Sequence, residues 1–383
     1  MRVLFVADGR SPIALNWIRY FVEAGDEVFL ASTFACAPDL SLNGLEITPV
    51  AFSQARGRAQ PSAGDVSGTL RVRVFLRRLL GPLTVARSSR RLRAFTERIR
   101  PELVHAMRIP FEGMLAADAG NSTPVLVSIW GNDLTLHAPS TRLMRHYTSW
   151  TLQVASALHT DCRRDLRLAH EWGFAAGKPA LVVPGAGGVR TEIFFASETP
   201  PRQPIVVNAR GSRSYVRTSV FLQAVPLVLE RLPAARFRCA ALAKDRAAAA
   251  WVKRLNVGQA VQLLPSLPQA ELADLFRSAQ VMVSPSVHDG TPNSLLEGMA
   301  CGCLPVAGDL ESVREWIKPG ENGLLVDPSD PRALADGIIR GLEDADLRRT
   351  AAGLNHELIL ERAEFGRCMS QARVFYSKVM SAS

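Results

Sequence analysis

The chain has 383 residues, 47% of them apolar and 21% charged, and carries a formal net charge of +9. That is longer than one ordinary core, so two domains are expected, and the balance is that of a globular protein rather than a disordered one. The basic excess invites an anionic partner, and no run approaches the roughly 20 apolar residues that a spanning helix needs.

Cys36, Cys162, Cys239, Cys301, Cys303 and Cys368 show neither a CxxC pair nor zinc spacing, which suits reduced thiols. The opening MRVLFVADGR lacks the length and cleavage site of a signal peptide. A cytoplasmic location is expected.

Val3 to Ala7 read as a strand, Ile13 to Glu23 as a helix striped by Ile13, Trp17, Ile18, Phe21 and Val22, and Glu27 to Ala31 as the next strand. This βαβ unit opens a doubly wound domain. The loop Asp8-Gly9-Arg10-Ser11-Pro12 follows the first strand, where such sheets bind ligands. It is not GxGxxG, so no dinucleotide site is read there.

Residues 54–100 hold twelve Arg against two acids, Asp65 and Glu97. From Leu70 the pattern is amphipathic, with Val72, Phe75, Leu76 and Leu79 on one face and Arg71, Arg73, Arg77 and Arg78 elsewhere. Two readings stand side by side: a basic helix lying on an anionic membrane surface, and a core-packed helix with a solvated Arg face. No aromatic interleaving or fold motif supports a nucleic-acid partner.

A strand begins near Pro101, and Val125 to Ile129 form another that closes on Trp130-Gly131-Asn132-Asp133. Asp133 stands at a strand C-terminus, where catalytic side chains gather; its plainer role is to cap the turn. His137 lies just beyond and is kept as a loop candidate. Arg142 to Ala157 and Arg164 to Glu171 look helical, and Ala157 to Thr160 and Ala180 to Val183 extended. Pro184 to Gly188 hold a glycine cluster, but Arg190 stands where the fingerprint needs its third glycine. Residues 196–204, ASETPPRQP, read as a linker.

A second α/β pattern starts with the strand Ile205 to Asn208. Arg210, Arg213 and Arg217 fall in the loop that follows, and Ser219 to Glu230 read as a helix. Phe237 to Leu242, Val261 to Leu263 and Val281 to Val283 supply strands, with a helix at Glu271 to Ser278. Thr291 reads as an N-cap and Pro292 as the first residue of a helix carrying Leu295, Leu296, Met299 and Ala300. Leu304 to Ala307, Val313 to Ile317 and Gly323 to Val326 follow, then a helix at Pro331 to Leu342 and a helical tail from Ala351.

Strand, loop and helix N-terminus in that order make an anion site. Guanidinium forks of the Arg loop, Arg210 foremost, could grip a diphosphate opposite the N–H groups of Asn293 and Ser294. Glu297, in the second turn, suits vicinal hydroxyls, although an ordinary helix Glu is commoner; Asp289 could accept from a sugar or cap the turn. No metal set is read: Asp344-Ala345-Asp346 spells DxD but follows a helix rather than a strand.

On these residues the chain resembles a retaining family 4 glycosyltransferase of the GT-B fold. MRVLFVADGRSP is similar to the opening strand and loop, PELVHAMRIPFEGMLAADAG to the DxVHAH segment, VSIWGND to the WGSD variant, and VVPGAGGVRTEIF to the P-x-G-G-G segment. VMVSPSVHDGTPNSLLEGMACGCLPV resembles the E-x7-E signature leading into an LEAMACG helix.

The resemblance implies two Rossmann-like domains facing across a cleft. Residues 1–195 would bind acceptor, residues 196–354 would bind donor, and the last helix, 355–383, would return to the first. It implies metal-independent transfer from a nucleotide-diphosphate sugar, a UDP-sugar before a GDP-sugar, to a glycan, lipid-linked or small-molecule acceptor, with no cofactor. Asp133, Asp289 and Arg210 would serve catalysis. Glu297, Gly290, Thr291, Asn293, Ser294, Arg217 and Leu264 would hold donor, and Gly9, Arg10, Trp130, Asn132 and His137 would line the acceptor side. Asp289 stands for the usual Glu, Trp130 for a His, Met107 for the second His of HAH, and Arg190 for an Asp. A nucleotide-sugar epimerase or hydrolase, or a binding protein without catalysis, remain the alternatives.

Overall fold

The computed structural model describes residues 1–53, 77, 79–120, 122–213 and 215–382. The apolar face expected at Val72, Phe75 and Leu76, with Arg71, Arg73 and Arg78, lies outside those residues.

Among the described residues two compact units are present: the first takes in the chain as far as Gly187 and again from Gly366, the second Gly188–Phe365. The division falls at Gly187, ahead of the linker-like 196–204. The cause is local pairing: Val189 N donates to Ala363 O at 2.7 Å and Phe365 N to Val189 O at 2.9 Å, which ties 189 and 363–365 to one body.

The first unit is built on β1 (Arg2–Ala7), β2 (Glu27–Ser32), β3 (Gly44–Ile47), β4 (Leu103–Ala106), β5 (Val125–Ile129), β6 (Ala157–Thr160) and β7 (Ala180–Val182), ordered β3-β2-β1-β4-β5-β6-β7. The second holds β8 (Ile205–Asn208), β9 (Arg236–Cys239), β10 (Val261–Leu263), β11 (Val281–Ser284), β12 (Leu304–Gly308) and β13 (Leu324–Val326), ordered β10-β9-β8-β11-β12-β13. Every pairing in both sheets is parallel.

Central strands such as Val281–Ser284 are buried throughout, which is why they read as unbroken apolar runs. Strand order reverses between β1 and β4 and between β8 and β11, the places where open α/β sheets leave a ligand crevice.

Val313 to Ile317 is not extended; Val313–Glu315 form a single helical turn. Helix Arg246–Arg254 was not legible as a stripe, since Ala248 is the one residue it buries. The helix Val85–Ile99 packs Val85, Leu92 and Phe95 into the first core, so for this stretch the core-packed reading holds. Among the described residues no helix is long and apolar enough to cross a membrane.

Candidate functional site

In the second unit, β8 ends at Asn208 and β11 at Ser284, side by side at the switch point. The loops beyond them are laced together: Arg217 N donates to Pro285 O at 2.8 Å and Val287 N to Tyr215 O at 2.9 Å. Arg210 is 8% exposed and lies between them. Its Nη2 donates to Asp289 Oδ2, its Nη1 to Ser294 Oγ at 3.3 Å, and its backbone N–H to Asn208 Oδ1 at 3.0 Å.

Four buried polar atoms here have no hydrogen-bond partner among the described residues: Arg210 Nε, Asn208 Nδ2, Ser284 Oγ and Ser286 Oγ. Buried polar groups are ordinarily satisfied, so this set is poised for something polar. Glu297 is half-buried, and burial pushes its carboxyl up to about 7 although Arg210 pulls it down.

The helix over this site begins one residue later than expected, at Asn293–Ala300 with Pro292 as cap and no side-chain capping bond. Thr291 is not the cap because its hydroxyl accepts from Trp316 Nε1 at 3.0 Å. Gly290 completes the turn before it. Arg217 caps helix Thr218–Arg231, and its guanidinium makes no hydrogen bond or ion pair among the described residues. Leu264 donates its N–H to Cys239 O at 2.8 Å and accepts at its carbonyl from Leu242 and Ala243, while its half-buried side chain packs against the core of the second unit.

In the first unit the loops after β1, β4 and β5 line a cavity of about 360 Å³, with Arg10, Arg77, Arg108, Glu112, Trp130 and His137 in its wall. Gly9 has a steric part: a Cβ there would meet Ser32 Oγ at 2.9 Å, and its N–H donates to that oxygen. Arg10 closes on Asp8 through Nε and Nη2, both at 2.9 Å.

Asp133 is buried at 1% exposure; Oδ1 accepts from Arg108 Nε at 2.7 Å and Oδ2 from Trp130 N at 3.1 Å. Both oxygens are engaged internally, so the capping role fits where catalysis was expected. Asn132 Oδ1 accepts from Arg108 Nη2 at 2.8 Å, which makes Asn132 a second anchor of that arginine.

Arg108 and Glu112 were not singled out in the sequence; their signal is position, directly after the strand of VHAMRIPFEG. Glu112 Oε1 accepts from Thr33 Oγ1 at 2.7 Å, and burial pushes the carboxyl up to about 7.

Asp344-Ala345-Asp346 is a helix start, where Asp344 Oδ1 accepts from Leu347 N at 2.9 Å. Side-chain atoms of Asp161, Cys162 and Asp165 lie within 4.8 Å of one another, a grouping the sequence did not suggest. Arg164 donates to Asp165 Oδ1 at 2.6 Å within it.

Two parallel α/β sheets, each with polar residues gathered at its switch point, define the GT-B class of architecture. Residues 204–344 match the model "Glycosyl transferases group 1" and residues 9–185 the model "Glycosyl transferase 4-like domain". The chain thus carries a glycosyltransferase 4-like domain followed by a group 1 glycosyltransferase domain.

Among curated relatives, a D-inositol 3-phosphate glycosyltransferase of Thermobispora bispora is 33% identical over 133 residues, 35% of this chain and 30% of that protein. The one from Streptomyces bingchenggensis is 25% identical over 74% of this chain and 63% of its own length. The matches thus span less than two thirds of those relatives.

Sucrose-phosphate synthase from Thermosynechococcus elongatus superposes at TM-score 0.76 with 17% identity over 100% of both chains. Anabaena HepE in complex with UDP-glucose superposes at 0.73 with 14% identity, again over 100% of both. These two establish likeness of fold.

Proposed function

We propose that this chain moves a sugar from a nucleotide-diphosphate sugar to an acceptor hydroxyl, with retention at the anomeric carbon. The observation that carries the reading is Arg210, buried at the β8/β11 switch point and joined to Asp289 and Ser294 while its Nε stays unpartnered among the described residues. A buried guanidinium beside a helix N-terminus is a diphosphate receptor.

In this reading Arg210 and the N–H groups of Asn293 and Ser294 take the diphosphate, with Gly290 and Thr291 shaping the turn. Glu297 accepts hydrogen bonds from the ribose hydroxyls. Asp289, oriented by Arg210, accepts from the donor sugar, and Arg217 stands by as a further phosphate contact. The leaving phosphate takes the acceptor proton on the same face, so the protein supplies charge and position rather than a nucleophile. Arg210 and the helix dipole provide the counter-charge in place of a metal. UDP is the first choice of base, following the ligand named for HepE. Asp133 holds Arg108 and the Trp130 turn in place.

Calorimetric titration with UDP and GDP tests the donor site. Arg210→Ala and Glu297→Gln should each weaken binding about tenfold or more, as expected for loss of a charged hydrogen-bonding partner. Wild-type affinity in both variants sinks the assignment. Incubation of donor alone addresses the alternative chemistry, since conversion to an isomeric nucleotide sugar would mark an epimerase.

A peripheral role at an anionic membrane surface on the cytoplasmic side is a second, independent proposal. It rests on helix Val85–Ile99, whose outer face exposes Arg87, Arg90, Arg91 and Arg98.

A further inference from the structure

A second cavity, of about 330 Å³, opens in the second unit at the end of the sheet away from Arg210. Ala279 and Gln280, which run into β11, and Cys301 and Gly302, which lead toward β12, form part of its wall. It therefore lies beneath the N-terminal ends of these strands, while the Arg210 site lies past the C-terminal end of β11. The four residues of β11, at roughly 3.3 Å each, put about 13 Å of sheet between the two.

The walls are tied in place. Gln280 Nε2 donates to Pro201 O at 2.9 Å and Arg277 Nη1 to Ile193 O at 3.0 Å, which fixes the 193–201 segment against the start of β11 and the end of helix Gln269–Arg277. Gly302, at φ 83°, turns the chain out of helix Asn293–Ala300, and a Cβ there would come within 3.3 Å of Ala196 Cβ. The first turns of helix Ala345–Arg362 supply the remaining side.

Arg277, Arg348 and Arg349 all line this cavity, and no Asp or Glu among the described residues does. Arg277 and Arg349 are already ion-paired, with the exposed Asp274 at 2.5 Å and the exposed Asp346 at 2.9 Å. Arg348 is held differently. Its Nη1 donates to Gly341 O at 2.8 Å and Leu342 O at 2.6 Å, and among the described residues its Nε and Nη2 make no hydrogen bond. Asp344 attracts it through space but gives Oδ1 to Leu347 N, and burial still pulls the guanidinium below its ordinary value. The unclaimed Nε–Nη2 edge is the fork that grips a carboxylate through two parallel bonds. Much of the rest of the wall is small and apolar, with Ala196, Pro200, Pro201, Ala345 and Ala352.

We infer that this cavity binds a small organic monoanion, a carboxylate seated on the open edge of Arg348 with an apolar body against the proline and alanine wall. One open fork suits one carboxylate, whereas a phosphate dianion would call on Arg277 and Arg349, whose charges are already matched. A mostly apolar cleft with a few placed polar groups is the usual form of a small-molecule site. The inference is independent of the transferase reading, since none of its residues belongs to the Arg210 site.

The test is ligand-observed NMR on the full chain, with benzoate, phenylacetate and 3-methylbutanoate as probes. Acetate lacks the apolar body, benzamide lacks the charge, and phenyl phosphate carries the other anion. At least one of the three probes should bind more tightly than all three of these comparators. Arg348→Gln should weaken that probe about tenfold or more, and Arg348→Lys, which keeps the charge without the fork, should recover only part of the loss.

Arg348 also holds the end of helix Pro331–Glu343, so a second variant leaves it alone. Ala352→Leu keeps every guanidinium and fills the cavity, and should weaken the same probe by a similar factor. Melting temperatures without ligand identify the variants whose fold is intact. No binding by any of the three carboxylates, tighter binding of any comparator, or an unchanged affinity in Arg348→Gln or Ala352→Leu overturns the inference.

Discussion

Glu297 carries a tension that can be measured. Burial raises its carboxyl to about 7, above the ordinary value of 4.5, so the folded protein keeps a proton there that the unfolded chain releases. The sign follows from linkage. Between about pH 4.5 and 7 the native state binds more protons than the unfolded one, so this group's contribution to stability falls as pH rises and is lowest above 7. Ionised Glu297 thus costs on the order of 1–3 kcal/mol at pH 8, part of which Arg210 has already offset. Glu297→Gln should raise the melting temperature at pH 8, leave it unchanged near pH 4, and still bind UDP more weakly. In the wild type UDP affinity should fall as pH drops through about 7, because a protonated carboxyl accepts less well from a ribose. Scanning calorimetry and titration between pH 4 and 8 measure both. A variant no more stable than wild type at pH 8 would show that the carboxyl is not strained.

Among the elements, those whose cause is local could be read from the chain alone. The strand Val281–Ser284 and its neighbours announce themselves as short apolar runs because parallel strands are covered on both faces. Helix Pro331–Glu343 begins where Asp330 and Pro331 say it should, with Asp330 accepting from Arg332 N at 2.8 Å. The edge strand Gly44–Ile47 went unread, since it buries little and has no alternation to detect. Thr291 misled because its hydroxyl is claimed by Trp316, twenty-five residues away, and no local rule contains that partner.

The candidate site divides in the same way. Asn293, Ser294 and Glu297 follow from a strand-loop-helix pattern, whereas the capture of Asp133 by Arg108 depends on two strands meeting. Helix Val85–Ile99 belongs at this scale too. Its apolar stripe is spent on the core, so any hold on a membrane must come from its arginines and from the exposed Leu79, Leu80 and Leu83 nearby. Cosedimentation with phosphatidylserine vesicles should be clear at low salt and lost near 0.5 M, where screening shortens to a few ångströms. Changing Arg87, Arg90 and Arg91 to Gln should abolish it at low salt as well. Binding that survives high salt, or that the triple variant retains, would remove the Arg face as its cause.

At the largest scale the first unit is closed by the end of the chain. Helix Phe365–Ser381 returns to it, and Arg373 donates from Nη1 to Asp26 Oδ2 at 2.6 Å. Beneath that ion pair runs a buried chain of hydrogen bonds whose polarity can be worked out link by link. His159 Nε2 must donate to Val183 O, at 3.0 Å, because a carbonyl cannot donate. In neutral His159, Nδ1 is then an acceptor and takes the Ser128 hydroxyl proton at 2.8 Å. Ser128 Oγ therefore accepts from His105 Nε2 at 2.7 Å, and His105 Nδ1 accepts from the Tyr376 hydroxyl. The Tyr376 oxygen is left to accept from Trp17 Nε1 at 2.8 Å.

Each link uses one donor and one acceptor, and the run is consistent only while both imidazoles are neutral. Burial agrees, holding His159 down to about 4 and His105 well below its ordinary value. For a histidine so depressed, the unfolded chain binds the extra proton first. Stability is whole above about pH 6.5 and drains away as pH falls toward 4. Across that window the histidines work against the raised carboxyls Glu297 and Glu112, so the measure is the gap in melting temperature between wild type and His159→Gln, which cannot take up that proton: it should narrow as pH falls from 6.5 to 4. Tyr376→Phe keeps the ring that stacks on Phe21 at 4.6 Å but strips Trp17 Nε1 and His105 Nδ1 of their partner. Two buried polar atoms left bare cost about 1–3 kcal/mol each, a loss of several degrees at pH 7.5 by calorimetry. A Tyr376→Phe protein that melts with the wild type at that pH would mean that the hydrogen bonds of Tyr376 do not hold the returning helix.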